Sequence, residues 1–167
     1  MSTRQTSTIS VTIDAPFERV VEDLADPATH PEWATQFFAG PATKLADGTY
    51  EVQIPSLGGA ARMSSEVETR LGVIDLFLAP AGGAFGPPLP IRVVPNGDGV
   101  DVLFTLARFD GMGEEEWTRG LEGMRHELDN LKTCHEDGDR DRGGRLCLPN
   151  HAVADVVPGD VQTDGPC

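Results

Sequence analysis

One long amphipathic helix constrains the fold of this chain more than any other sequence feature. Its apolar residues recur at spacings of four, three, four and three, and they are Trp117, Leu121, Met124, Leu128 and Leu131. Glutamates at 114–116 precede this stripe, where they suit the positive end of the helix dipole, and Lys132 closes it. A stripe of this kind has to be buried, and the only large dry surface available is a β-sheet formed by the preceding residues.

The residues before this helix follow strand patterns. Apolar and polar residues alternate over 8–13, 49–54 and 62–68, and further strands are predicted at 72–79, 91–94 and 100–106. The stretch "PNGDG" between the last two strands predicts a tight hairpin, because these residues accept positive φ. The alternation indicates that one face of the sheet is exposed to solvent and the other is buried against the core.

Two short helices are predicted after the first strand. Pro16 suits the first turn of a helix, and an apolar face follows at Phe17, Val20, Val21 and Leu24. Asp26-Pro27 ends that helix. The stretch "ADPATHPEWA" then predicts a second helix over about 28–34, with Trp33 packed at the end of the sheet or at a cavity rim. His30 has no evident catalytic partner there.

This order of elements predicts an α+β fold. We expect a curved antiparallel sheet of six to seven strands around a long C-terminal helix, with two short helices after strand 1 and an internal cavity. The predicted domain spans 1–132. Residues 133–167 are acidic, rich in Gly and Pro and without periodicity, so they are predicted to form a disordered tail.

The sequence resembles the SRPBCC superfamily, the START-like helix-grip group that includes polyketide cyclase/dehydrase-like proteins. The resemblance covers roughly 6–132 and rests on "APFERVVEDLADPATHPEWA", on "RVVPNGDGVDVLFTLARFDGMGEEEW" and on a last helix ending "ELDNLK". It implies the helix-grip fold and an internal cavity for a small, largely apolar molecule. It implies no common catalytic set, because members range from lipid carriers to aromatase/cyclases.

Composition excludes some partners. A formal net charge of -14 argues against binding to nucleic acid or to an anionic membrane surface. No apolar run is long enough to span a bilayer, and the N-terminus shows no secretory signal, so we expect no membrane insertion and a cytoplasmic protein. The three cysteines all lie after residue 133 and are expected to be reduced thiols.

No metal or cofactor site is predicted. Of the four histidines, His126 lies off the apolar stripe and is expected to face solvent. Cys147 and His151 have a permissible spacing for half a zinc site, but the paired CxxC motif that would support it is missing. The glycines of 82–90 precede no helix that could bind phosphate, so this segment is interpreted as a loop, with a lid at the cavity mouth as an alternative.

Three polar residues are weak catalytic candidates. Asp75 and Arg92 would lie opposite each other in a hairpin whose paired residue numbers sum to 167, either as a cross-strand ion pair or as an anchor for a ligand carboxylate or carbonyl. Tyr50 is either a core residue with a bonded hydroxyl or a general acid. The residues predicted to line the cavity are Trp33, Tyr50, Val52, Met63, Asp75, Phe77, Arg92, Phe104, Trp117, Gly120 and Met124.

Three functions remain open at this point. The first is binding of a small hydrophobic or amphipathic ligand, lipid-like or polyketide-like, in the central cavity. The second is a polyketide cyclase, aromatase or dehydratase type of enzyme acting in the same cavity, so that enzymatic activity is undecided. The third is a protein-binding module without a ligand. The chain is expected to be a monomer or a homodimer.

Overall fold

The alternating strands form one antiparallel sheet of seven strands, in the order β1-β7-β6-β5-β4-β3-β2. This computed structural model describes residues 3–137. The strands are β1 (Thr6–Ile13), β2 (Thr43–Lys44), β3 (Tyr50–Ile54), β4 (Gly59–Glu68), β5 (Val73–Pro80), β6 (Leu89–Asn96) and β7 (Gly99–Ala107). The helices are α1 (Phe17–Ala25), α2 (His30–Trp33) and α3 (Glu114–Asp137). The predicted α+β arrangement of sheet and helices in a helix-grip fold is confirmed, and the two-residue strand β2 was not predicted.

One face of the sheet carries the core. Ile74 pairs with Ile91, Ile91 with Phe104, and Phe104 with Ile9, which gives a continuous apolar row across four strands. All four side chains are buried. We call this face the inner face, because Leu128 of α3 packs into the same apolar cluster.

The two short helices close one end of the grip. Helix α1 buries Val20, Val21 and Leu24, and it contacts β6 and β7. Helix α2 contacts α3, and the indole of Trp33 meets the ring of Phe104 edge-on at 5.9 Å between centroids. The stretch "ADPATHPEWA" is therefore a packing corner, as predicted.

Helix α3 continues to Asp137, five residues beyond the boundary predicted at residue 132. His135 lies on the buried side of this extension, with its Nε2 3.2 Å from Oδ2 of Asp23 in α1. The Nζ of Lys132 donates to the carbonyl oxygen of Thr12 at 2.7 Å, which attaches this part of α3 to β1. Residues predicted as the start of a disordered tail are thus part of the core.

The remaining predictions for the tail lie outside the described residues, including those for Cys147, His151 and Cys167. Cys134 falls within α3 and is disulfide-bonded, so the expectation of reduced thiols does not hold for this residue. His126 is exposed, as predicted.

Gly72 joins a short 3₁₀ turn to β5 at a point of close backbone approach. Its φ is +61°, and its carbonyl oxygen accepts the N–H of Val93 at 2.8 Å. A Cβ at this position would overlap the carbonyl oxygen of Val93. The position therefore requires glycine both for its backbone conformation and for space.

We expect Gly72→Ala to destabilise the domain more than Gly82→Ala does. Both glycines have positive φ, which costs an alanine about 1–2 kcal/mol, but nothing lies within 4 Å of a Cβ at Gly82. Urea denaturation should give a free energy of unfolding lower by about 2 kcal/mol or more in Gly72→Ala than in Gly82→Ala. Equal losses would contradict the steric interpretation.

Candidate functional site

The inner face of the sheet is less well covered at the end where β7 stops and β6 begins. Leu89 pairs with Leu76 across β5 and β6, and Leu78 pairs with Met63 across β4 and β5. Leu78, Leu89 and the neighbouring Leu106 are only half-buried, although all three pack against the core. This end of the sheet therefore presents a band of accessible apolar side chains.

The first half of α3 and the segment after α2 also carry apolar side chains that are partly accessible to solvent. Leu121 and Met124 of α3 and Phe37 are also half-buried against the core, whereas Leu128 and Leu131 further along α3 are fully buried. We call the six half-buried side chains the apolar opening, and they are Phe37, Leu78, Leu89, Leu106, Leu121 and Met124. The loop 81–88 joins β5 to β6 beside it, at the place predicted for a cavity mouth.

Trp33 and His30 are the buried residues of α2. His30 is buried, and its Nε2 is 2.9 Å from the carbonyl oxygen of Leu24, while burial lowers its pKa. The amide of Asn130 in α3 donates to the carbonyl oxygen of Trp33 at 3.0 Å. The indole Nε1 of Trp33 is buried, and no acceptor for its N–H is found among the described residues. The site thus contains one donor without a partner.

Glu127 is a buried carboxyl group that was not predicted. It is 4% exposed, and its Oε1 accepts the N–H of Phe37 at 2.9 Å, which attaches the segment after α2 to α3. Desolvation on burial raises the pKa of Glu127 to about 7, although the bond from Phe37 acts in the opposite direction. This carboxyl group can exchange a proton near neutral pH.

The polar residues predicted as ligand anchors lie on the other side of the sheet. Asp75 and Phe77 alternate with the inner-face residues of β5, and Arg92 follows Ile91, so all three point to the outer face. The Nη1 of Arg92 donates to Oδ1 of Asp75 at 2.8 Å. The predicted ion pair is present. The prediction that Asp75, Phe77 and Arg92 line a cavity is wrong, because strand alternation turns their side chains away from α3.

Tyr50 lies at the edge of the inner face and is half-buried. Its hydroxyl is 3.4 Å from Oδ1 of Asp26, and Lys44 lies 5.9 Å from its ring centroid. Desolvation, followed by the charge of Asp26, raises the pKa of the Tyr50 phenol. The phenol is therefore kept protonated and is no better an acid than a free tyrosine.

The other predicted cavity residues divide into two groups. Val52, Met63 and Phe104 belong to the packed apolar core on the inner side, and Trp117 is buried at the start of α3 outside that cluster. Met124 belongs to the apolar opening. Gly120 is exposed on α3 with nothing within 4 Å of a Cβ, so it lines no pocket with other described residues.

Two surface hollows occur elsewhere. One of about 330 Å³ lies between β1 and α3, and one of about 450 Å³ lies where α1 begins beside the end of α3. Neither is lined by a residue of the predicted site.

Within residues 3–137, no group of three metal-ligating side chains occurs, and no helix has the length and apolar character needed to cross a membrane.

The fold is similar to several solved structures at low sequence identity. A START superfamily protein from Mycobacterium smegmatis matches with a TM-score of 0.58 at 17% identity, over 79% of this chain and 97% of that one. The Aha1 dimer from Colwellia psychrerythraea matches with 0.58 at 15%, over 80% and 98%. DynU16, a putative protein in the dynemicin biosynthetic locus, matches with 0.54 at 18%, over 80% and 48%. No protein-family model matches the sequence, and no curated protein matches it significantly.

Glu127 should make the stability of the domain depend on pH. Because its pKa is higher in the folded than in the unfolded chain, the folded state is stabilised below about pH 4.5, and this stabilisation is lost as the pH rises through about 7. In the wild type, this group should lower the free energy of unfolding by up to about 3 kcal/mol between pH 4.5 and 7.5. We expect this decrease to be missing in Glu127→Gln.

Urea denaturation at a series of pH values measures this difference. Glu122→Gln, which makes the same change in charge at an exposed position of α3, is the matched control and should retain the wild-type pH profile. An unchanged profile in Glu127→Gln would show that the buried carboxyl group titrates normally.

Proposed function

We propose that this helix-grip domain binds a small hydrophobic or amphipathic molecule through the apolar opening. The observation that carries the proposal is that six apolar side chains, from three strands, from α3 and from the segment after α2, stay half-buried although they pack against the core. Accessible apolar patches on the surface of a protein domain mark interaction sites. The similarity in fold to a START superfamily protein supports the same interpretation.

The arrangement suits entry of a ligand between the sheet and the first half of α3. Leu89 and Leu106 would then contact the ligand from the sheet, and Leu121 and Met124 from the helix. Met124 has a flexible side chain that can repack around ligands of different shape. Further inside, Phe104 and Leu128 are fully packed, so a ligand has to displace side chains to go deeper.

Leu89→Lys should weaken the binding of a neutral apolar probe. A charged side chain in the opening would have to be desolvated when the probe enters, so we expect at least about a tenfold loss of affinity for N-phenyl-1-naphthylamine, measured by its fluorescence. Val94→Lys, on the exposed outer face of the same strand, is the matched control and should bind like the wild type.

Two results would contradict the proposal. One is the lack of saturable binding by the wild-type protein, and the other is equal binding by Leu89→Lys and the wild type. Arg92→Ala provides a further comparison, because an outer-face position predicts unchanged affinity, whereas an anchoring role predicts a loss.

A proton-transferring enzyme of the cyclase or dehydratase kind is the second candidate. Glu127 favours it, because a buried carboxyl group with a pKa of about 7 lies one helical turn from Met124 of the opening. Deuterium exchange at the α-carbons of 2-decanone, followed by NMR, tests this function. Exchange accelerated by the wild type and lost in Glu127→Gln would support it, and no acceleration by the wild type would count against it.

A further inference from the structure

The indole N–H of Trp33 is a hydrogen-bond donor without a partner. Trp33 is 3% exposed, and its Nε1 is buried, so bulk water cannot satisfy the donor. Buried donors in native proteins nearly always have an acceptor, and one without a partner requires an explanation.

The nearest polar groups are engaged in other bonds. The carbonyl oxygen of Trp33 accepts from Asn130, and the Nε2 of His30 is bonded to the carbonyl of Leu24. The ring of His30 lies against the indole at 5.2 Å between centroids, and this contact offers no acceptor to Nε1. The donor is therefore free to bond to a molecule that enters from outside the domain.

Trp33 packs against Phe104, an inner-face residue two positions before Leu106 of the apolar opening. Its ring meets Phe104 edge-on, and Phe104 belongs to the apolar row of the inner face. The pair Leu76–Leu89 lies two residues further along β5 and β6 than the pair Ile74–Ile91 of that row. The indole of Trp33 therefore packs on the row that neighbours the Leu76–Leu89 pair on the inner face.

No arginine or lysine is among the buried side chains of residues 3–137, so an anionic ligand would find no fixed positive charge there. The buried polar side chains of residues 3–137 are Asp23, His30, Glu127 and His135. Two of them are carboxyl groups, and the imidazole of His30 is kept neutral by burial, which lowers its pKa. Arg92, the cation predicted as an anchor, lies on the outer face. A carboxylate would enter this environment without a positive partner.

We propose that the indole N–H of Trp33 is the polar anchor of the site, and that its ligand is a neutral apolar molecule with a hydrogen-bond acceptor, such as a ketone or ester oxygen, at its buried end. This inference rests on the proposed binding function. Fatty-acid anions and plain hydrocarbons are excluded by it as preferred ligands.

Three probes of nearly equal shape test the inference on the full-length chain. They are 2-acetylnaphthalene, 2-ethylnaphthalene and 2-naphthoate, which present a ketone, a methylene and a carboxylate at the same place. Trp33→Phe removes the N–H and keeps an aromatic ring. Trp117→Phe makes the same change at the other tryptophan of the chain and is the matched control.

Calorimetry should show that the ketone binds more tightly than the other two probes. We expect the ratio of ketone to hydrocarbon affinity to fall by about tenfold in Trp33→Phe and to stay unchanged in Trp117→Phe. A ratio that is equal in Trp33→Phe and the wild type would overturn the inference, as would tighter binding of 2-naphthoate than of the ketone.

An NMR measurement on the wild-type protein follows the Trp33 donor directly and needs a variant only for the assignment of its resonance. The chain has two indole N–H resonances, and Trp117→Phe identifies that of Trp33. The ketone should shift the Trp33 resonance downfield, and 2-ethylnaphthalene should not. Binding of the ketone without this shift overturns the inference but leaves the binding function intact. If the wild type binds neither neutral probe, the proposed function itself fails.

Discussion

The pairing of Ile74, Ile91, Phe104 and Ile9 across four strands is the constraint on which the rest of the domain depends. Because side chains alternate along a strand, a shift of one residue in any of these pairings would exchange the apolar and polar faces. The row fixes which side of the sheet α3 covers. It also decides the position of Arg92, which follows Ile91 and must therefore point outward.

The sequence predicted the order of the elements well, because each depends on a local pattern. It did not predict the end of α3. His135 lies four residues after Leu131 and continues the spacing of the apolar stripe, but a histidine beside a Gly- and Asp-rich segment does not look like a core residue. It is buried because Asp23 of α1, 112 positions away, supplies a partner for its imidazole. A pairing of this kind depends on tertiary structure and leaves no local signal.

The register of β5 and β6 shows a second limit. The predicted pairing placed Asp75 opposite Arg92, whereas Asp75 pairs with Pro90 and Arg92 with Val73. A shift of two residues preserves the face of every side chain, so the ion pair still forms, now diagonally. The loop 81–88 is too long to fix a register, unlike the two-residue turn at Gly97 between β6 and β7. The continuously apolar sequence of β5 also gave no alternation from which the face of Asp75 could be predicted.

The polar groups that could exchange a proton or bond to a ligand lie on the helices. The charged pair on the sheet, Asp75 and Arg92, is satisfied and faces outward. By contrast, Glu127 on α3 has a raised pKa, and Trp33 on α2 has a donor without a partner. Glu127 could have been suspected from its place three residues after Met124, at the margin of the stripe, but the orientation of an indole cannot be obtained from spacing. The sheet thus supplies an apolar surface, and the polar groups to which we assign ligand selection are held by the two helices.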